Sequence, residues 1–249
     1  MRITVLTLFP EMFDSFLSVS IVHRAMERGL LQVDFVQIRD FARDRYKHVD
    51  DAPFGGGAGM IMKCQTVLDA LDSVEDPGAY KILMSPAGHP YTQHKAHELS
   101  TKDHLVILCG HYEGLDERIS HHMDEEISIG DYVLTGGETA AMIIIDSVSR
   151  LLKGSISDDS PLEESHENGL LEYPQYTRPA DYHGDRVPEV LLSGDHARIR
   201  EWRVAMALKR TKERRPDLYA AHTFTEEEKK VLRKLEMGKI RDVDWEEEE

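Results

Sequence analysis

Apolar and polar positions alternate along Ile3 to Phe9, then fall into helical spacing at Met12, Phe13, Phe16, Leu17, Ile21, Val22, Ala25 and Met26. The first run predicts a buried strand. The second predicts a helix, with Pro10 suited to its first turn and Gly29 to its stop. Alternation returns at Leu31, Val33 and Phe35 in a strand reaching Ile38, so the chain begins β-α-β, the start of a mostly parallel sheet. The stretch 39 to 59 breaks the rhythm: it is dense in charge and closes on Phe54-Gly55-Gly56-Gly57-Ala58-Gly59-Met60. These glycines invite a phosphate-loop reading, but no Lys-Ser/Thr ends the segment, no strand leads directly in, and dinucleotide spacing is absent. On local grounds it is a backbone crossing, flexible or tightly packed.

Further along, the pattern predicts a short helix at Val67 to Leu71, a strand Tyr80 to Met84, a helix capped by Thr92, and a strand His104 to Cys109. Helical turns near Leu115 to Ile119 precede a strand Glu126 to Leu134 and a helix Glu138 to Leu152. That helix is apolar nearly all round in its first half, which predicts a deep core helix or a subunit interface. Gly154 to Tyr176 is polar, acidic and aperiodic, a linker or lid. Later, Ser193-Gly194-Asp195 offers a cap for Ile199, Trp202, Ala205 and Met206 at helical spacing, and Thr225 with Glu228 forms a capping box for a last helix. The reading is an α/β domain followed by a small all-helical C-terminal domain.

Three strands are followed by glycine-bearing loops: Ser85-Pro86-Ala87-Gly88, Cys109-Gly110-His111-Tyr112-Glu113-Gly114, and the run from Ser128 through Gly136-Gly137. Glycine has no Cβ to keep a bound molecule off the backbone, and parallel sheets bind ligands at the carboxyl ends of their strands. The three loops therefore predict one pocket. No run is long enough to span a membrane, and the apolar start lacks a cleavage site, so a cytoplasmic protein is expected. Cys64 and Cys109 have neither disulfide nor zinc spacing. The net charge of −16 argues against a nucleic-acid partner, yet Arg198 to Arg215 holds eight basic residues against Glu201 and Glu213. Local sign steers a partner more than the total does, so this helix is a candidate RNA surface with a solvated face as its plain alternative.

Six strings together resemble one family: Thr7 to Phe13, Val49 to Met60, Cys109 to Arg118, Ile129 to Glu138, Tyr173 to Pro179 and Val190 to His196. The chain is similar to the bacterial tRNA (guanine37-N1)-methyltransferases across nearly its whole length. The resemblance implies a knotted α/β domain of the SPOUT class over residues 1–156, with a deep trefoil knot. It further implies a flexible linker at 157–176 and a helical tRNA-binding domain at 177–249. It implies S-adenosylmethionine as methyl donor, tRNA as substrate, and a homodimer with shared active sites. A magnesium requirement is left open and no residue is assigned to a metal. By the same resemblance the glycine segment Phe54 to Met60 lies where the two subunits meet the target nucleotide.

Carried over residue by residue, the resemblance gives the donor pocket Met84, Ser85 and Pro86; Gly110, Tyr112 and Glu113; and Ile129, Gly130, Asp131, Tyr132, Val133, Leu134, Gly136 and Gly137. For Val133 the residue pattern favours ordinary strand core. Arg150 fits the family's catalytic arginine, its plain alternative being a helix-end charge. The catalytic acid falls on Glu164, where the family has aspartate, with Asp159 and Glu163 as nearest rivals. The tRNA contacts fall on Arg198, Arg200, Arg203 and Lys209. A non-catalytic RNA- or nucleotide-binding module would use the same pocket. A nicotinamide dehydrogenase is excluded by the missing dinucleotide fingerprint.

Overall fold

The computed structural model describes residues 1–156, 164–240 and 243 of the chain. They form two compact units, Met1–Asp158 and Asp159–Glu249.

The first unit is a five-stranded parallel sheet in the order β2-β1-β6-β5-β7, built from β1 (Arg2–Thr7), β2 (Gln32–Gln37), β5 (Tyr80–Pro90), β6 (His104–Cys109) and β7 (Glu125–Ser128). Both faces are covered, as parallel sheets require. Ile3, Val5, Leu105 and Ile107 point into a core with α2 (Ser20–Glu27) and α5 (Glu138–Leu151). Leu6, Val106 and Leu108 point the other way, toward α3 (Cys64–Asp72). A two-stranded hairpin of β3 (Asp50–Asp51) and β4 (Ile61–Met62) flanks the glycine segment. Thr92 caps α4 (Gln93–Ser100) by accepting the Lys95 amide.

The structure departs from the periodicity in three places. Residues 10 to 27 are not one helix but a 3-10 turn (Pro10–Phe13), α1 (Asp14–Leu17) and α2. Ser18 bonds back to the Ser15 carbonyl and Ser20 takes a left-handed φ of 65°, which turns the chain so that both Phe13 and Val22 are buried. The strand predicted to Leu134 ends at Ser128. Gly130, at φ 148°, lets the chain leave the sheet, and Tyr132 N–H bonds back to the Gly130 carbonyl. Val133 is therefore 87% exposed, the opposite of strand core. Finally, Ser85 to Gly88 is not a loop after a strand. It is a bulge inside β5, where both Met84 and His89 register with Ile127.

At the opposite, amino edge of the sheet, His104 bridges Thr4 Oγ1 (2.9 Å) and Asp76 (2.7 Å). The order Thr–His–Asp has the form of a nucleophile relay, but Thr4 is buried and far from the loops, so the bridge is structural. The His104 hydrogen bond holds the Asp76 carboxyl below the usual carboxylate range. Its stabilising effect is present above that range and is lost as pH falls through the lowered value.

The second unit packs α6 (Glu189–Leu192), α7 (His196–Arg214), α8 (Pro216–Ala221) and α9 (Glu226–Glu236) around Leu170, Ala205, Leu208, Val231 and Leu235. Asp195 caps α7, and Thr225 and Glu228 form both halves of the capping box on α9. To these helices the structure adds a small hairpin, β8 (Asp181–Tyr182) with β9 (Asp185–Arg186).

Candidate functional site

Because β5 lies between β6 and β7, its bulge and the segments leaving the carboxyl ends of those two strands converge on one cavity of about 810 Å³. The β5 bulge contributes Met84, Ser85 and Pro86. The segment after β6 contributes Gly110, Tyr112 and Glu113. The segment after β7 contributes Ile129, Gly130, Tyr132, Val133, Leu134, Gly136 and Gly137. Asp131, expected with them, is exposed and is not among the lining residues.

The glycines are needed for a different reason from the one the sequence suggests. A Cβ on Gly137 would meet the Cys109 backbone at 2.8 Å, and one on Gly88 would meet the Glu126 and Ile127 backbone at 2.5 Å. These are close approaches of the protein to itself. They let the first turn of α5 and the β5 bulge sit against the sheet, with Gly137 N–H bonded to the Gly110 carbonyl at 2.9 Å. At Gly110 the obstacle is the Leu115 side chain, 2.4 Å away. A side chain at 137 therefore has to displace backbone, whereas one at 110 displaces a side chain. Gly137→Val should lower thermal stability by several degrees, because its neighbour is backbone and cannot swing aside. Gly110→Val should cost less, since Leu115 can change rotamer. Melting curves of the two variants test the order.

Below the cavity, a buried glutamate joins three elements. Glu138, 1% exposed at the start of α5, accepts from Thr7 Oγ1 at 2.5 Å and pairs with His111 Nε2 at 2.7 Å. Thr7 Oγ1 in turn accepts the Phe9 amide at 2.9 Å. On another wall, the Arg118 guanidinium bonds both Asp116 oxygens and holds that carboxyl at about 2, so the residue stays ionised as one half of a neutral ion pair. The glycine segment abuts this wall. Glu113 N–H bonds the Met60 carbonyl at 3.0 Å, and the Glu113 side chain leaves no room for a Cβ on Gly59. Gly55 and Gly56 have positive φ and open space around them, and Phe54 beside them is fully exposed. One end of the crossing is tightly packed and the other is not.

Neither catalytic candidate is among the residues that line this cavity. Arg150 is in the last turn of α5, about 20 Å along the axis from Gly137 at a rise of about 1.5 Å per residue. Glu164 belongs to the second unit, while Asp159 and Glu163 lie outside the described residues. The segment after Glu164 is pinned to α7: Leu171 N–H bonds Thr211 Oγ1 at 2.8 Å, Leu170 is buried, and Glu172 N–H bonds Ser165 Oγ at 2.9 Å.

The basic helix is more committed than its sequence suggests. Arg200 makes two hydrogen bonds to Glu227 at 2.8 and 2.9 Å, Lys209 pairs with Glu213, and Arg210 reaches the Glu172 carbonyl. Arg203 lies over the Tyr173 ring at 4.8 Å. Arg198 is on the exposed first turn of α7. Sequence reasoning passed over His111 and Glu138. The signal was available only in part, as a histidine in the second loop and an acid right after Gly137; nothing in the string places them together.

Among the described residues no cluster of three or more His, Cys, Asp or Glu side chains could hold a metal ion, and no helix is long and apolar enough to cross a membrane. The family model described as tRNA (Guanine-1)-methyltransferase TrmD matches residues 1–221. A relative from Ruminiclostridium cellulolyticum is 56% identical over 224 residues, covering 88% of this chain and 96% of its own. One from Geobacillus kaustophilus is 52% identical over 240 residues, covering 95% and 98%. One from Macrococcus caseolyticus is 50% identical over 241 residues, covering 96% and 100%. Each is named tRNA (guanine-N(1)-)-methyltransferase. With the matched model spanning the whole first unit and most of the second, the chain belongs to the tRNA (guanine-1)-methyltransferase family.

Proposed function

We propose that this chain methylates N1 of guanine 37 in tRNA, beside the anticodon, with S-adenosylmethionine as donor, in the cytoplasm and as a homodimer with shared active sites. The observation that carries the reading is the cavity formed by the β5 bulge and the segments leaving β6 and β7, in a chain of this family. Its lining suits the donor. Met84, Pro86, Ile129 and Leu134 offer apolar walls for an adenine, while the Tyr112 and Tyr132 rings and the Glu113 carboxylate suit a cationic sulfonium. No protein site for magnesium enters this reading.

S-adenosylmethionine supplies an electrophilic methyl group. The protein must do the rest: hold the guanine edge-on to that methyl, take the N1 proton, and stabilise the negative charge that spreads to O6. Glu164 takes the proton, and a loop pinned to α7 supports its backbone. Arg150 is the cation for O6. Its separation from the cavity along α5 favours service to the cavity of a second copy. The 3-10 turn and α2 pack on α5, and Met12 and Ile143 on these elements, with Val19 just before α2, are exposed apolar side chains of the kind an interface covers.

The test is nucleoside analysis of tRNA incubated with the protein and methyl-labelled donor. The reading expects 1-methylguanosine at position 37 and none on a transcript with adenine there. Any other methylated nucleoside overturns it. For tRNA binding, reversal of Arg198, Arg200 and Lys209 to glutamate should weaken affinity and reduce the salt slope by about one per lost phosphate contact. Arg203 is left in place so that losing its contact with the Tyr173 ring does not confound the result. The existing pairs do not oppose this role, since exposed ion pairs are worth only about 0–1 kcal/mol and yield to phosphate. An unchanged slope returns α7 to a solvated face.

A further inference from the structure

We propose that His111, Glu138 and Thr7 are positioning residues that hold the segment after β6 in its ligand-binding shape, an inference that rests on the cavity being the methyl-donor site. The segment carries strain: Tyr112 has a left-handed φ of 61°, a conformation that a residue with a bulky side chain keeps only when its surroundings over-determine it. Tyr112 is 47% exposed, so burial of its ring does not supply that constraint. Hydrogen bonds do. After the strained residue, Glu113 N–H bonds the Met60 carbonyl and Gly114 N–H bonds the His111 carbonyl. Before it, the anchor is the His111 side chain, which reaches into the protein to Glu138 Oε2 at 2.7 Å.

The far side of that anchor is rigid. Glu138 has both carboxylate oxygens engaged, one by His111 and one by the Thr7 hydroxyl, and sits where the helix dipole of α5 favours an anion. Thr7 is fixed in turn by the Phe9 amide, and the Phe9 ring meets the His111 ring edge-on at 4.9 Å. Gly136 completes the fit. A Cβ there would lie 2.3 Å from His111 Nε2 and 2.6 Å from Glu138 Oε2, so the absence of a side chain at 136 makes room for the pair. The charged or titratable neighbours are Tyr112 beside the imidazole and Cys109 beside the carboxylate; burial, then Glu138, push the Cys109 thiol up, leaving it protonated. Since His111 and Gly136 both line the cavity, the shape of two of its walls depends on one hydrogen bond.

Replacing His111 with alanine should release Tyr112 from its strained turn. Calorimetric affinity for S-adenosylmethionine should fall about tenfold and kcat about tenfold to a hundredfold, because sub-ångström misplacement is costly in an organised site. KM for tRNA should not change. His111→Gln keeps a donor that can reach Glu138 and should recover most of the donor affinity. Thr7→Val, which frees one oxygen of Glu138, should fall between wild type and His111→Ala. A role confined to stability would lower the melting temperature without this split between donor and tRNA. Unchanged donor affinity in a folded His111→Ala protein overturns the inference, as does a glutamine variant no better than alanine. Failure of the wild-type protein to make 1-methylguanosine would instead overturn the functional reading, while donor calorimetry on the variants would still judge the anchor.

Discussion

Arg150→Ala should lower kcat by about a hundredfold or more while leaving calorimetric affinity for S-adenosylmethionine unchanged, the size expected for loss of a cation aimed at developing charge. Unchanged affinity follows from its place: α5 begins at the cavity and Arg150 lies in its last turn. Its charge near the helix carboxyl end also contributes about 0.3–1 kcal/mol to stability, too little to unfold the protein. The sharper test is mixing. Leu134→Arg places bulk and positive charge in a cavity proposed for a cationic ligand, on a partly exposed loop residue. Each variant alone should be nearly inactive. A mixed dimer should recover about half the wild-type rate, because one of its two symmetric sites pairs an intact cavity with an intact arginine. If each chain uses its own arginine, mixing restores nothing and the shared-site proposal fails.

Glu164→Gln should reduce turnover by about 10²–10⁴-fold, the range for removing a general base, with donor and tRNA affinities nearly unchanged. Glutamine keeps the volume and hydrogen-bonding reach of glutamate and loses only the ability to take a proton. Glu164→Asp should retain part of the activity, because the loop behind it is anchored at its other end by Leu170 in the core and Leu171 on Thr211. Single-turnover rates at saturating tRNA separate this from a binding defect. Near-normal turnover in Glu164→Gln would move the role to a neighbouring acid such as Glu163 or Asp159.

The sequence by itself determined the parallel sheet, since the first elements follow in β-α-β order and His104 to Cys109 is a continuous apolar run of the kind a sheet covered on both faces needs. It also determined the caps at Thr92, Asp195 and Thr225, because capping is a contact between residues two or three apart. Convergence of three glycine-bearing segments was legible for the same local reason. Tertiary structure decided what pattern cannot hold. Val133 looks like strand core, but the chain leaves the sheet at Gly130, a decision made by backbone rotation and not by hydrophobicity. The 3-10 turn, α1 and α2 share one helical pattern and break because both Phe13 and Val22 must reach the same core. Gly137 reads as a ligand's approach and is a seat for the Cys109 backbone. The pairing of His111 with Glu138, across 27 residues, and of Thr7 with Glu138, across 131, depends on strand order in the sheet. No local propensity records which strand lies beside which, and that order brings the three side chains together.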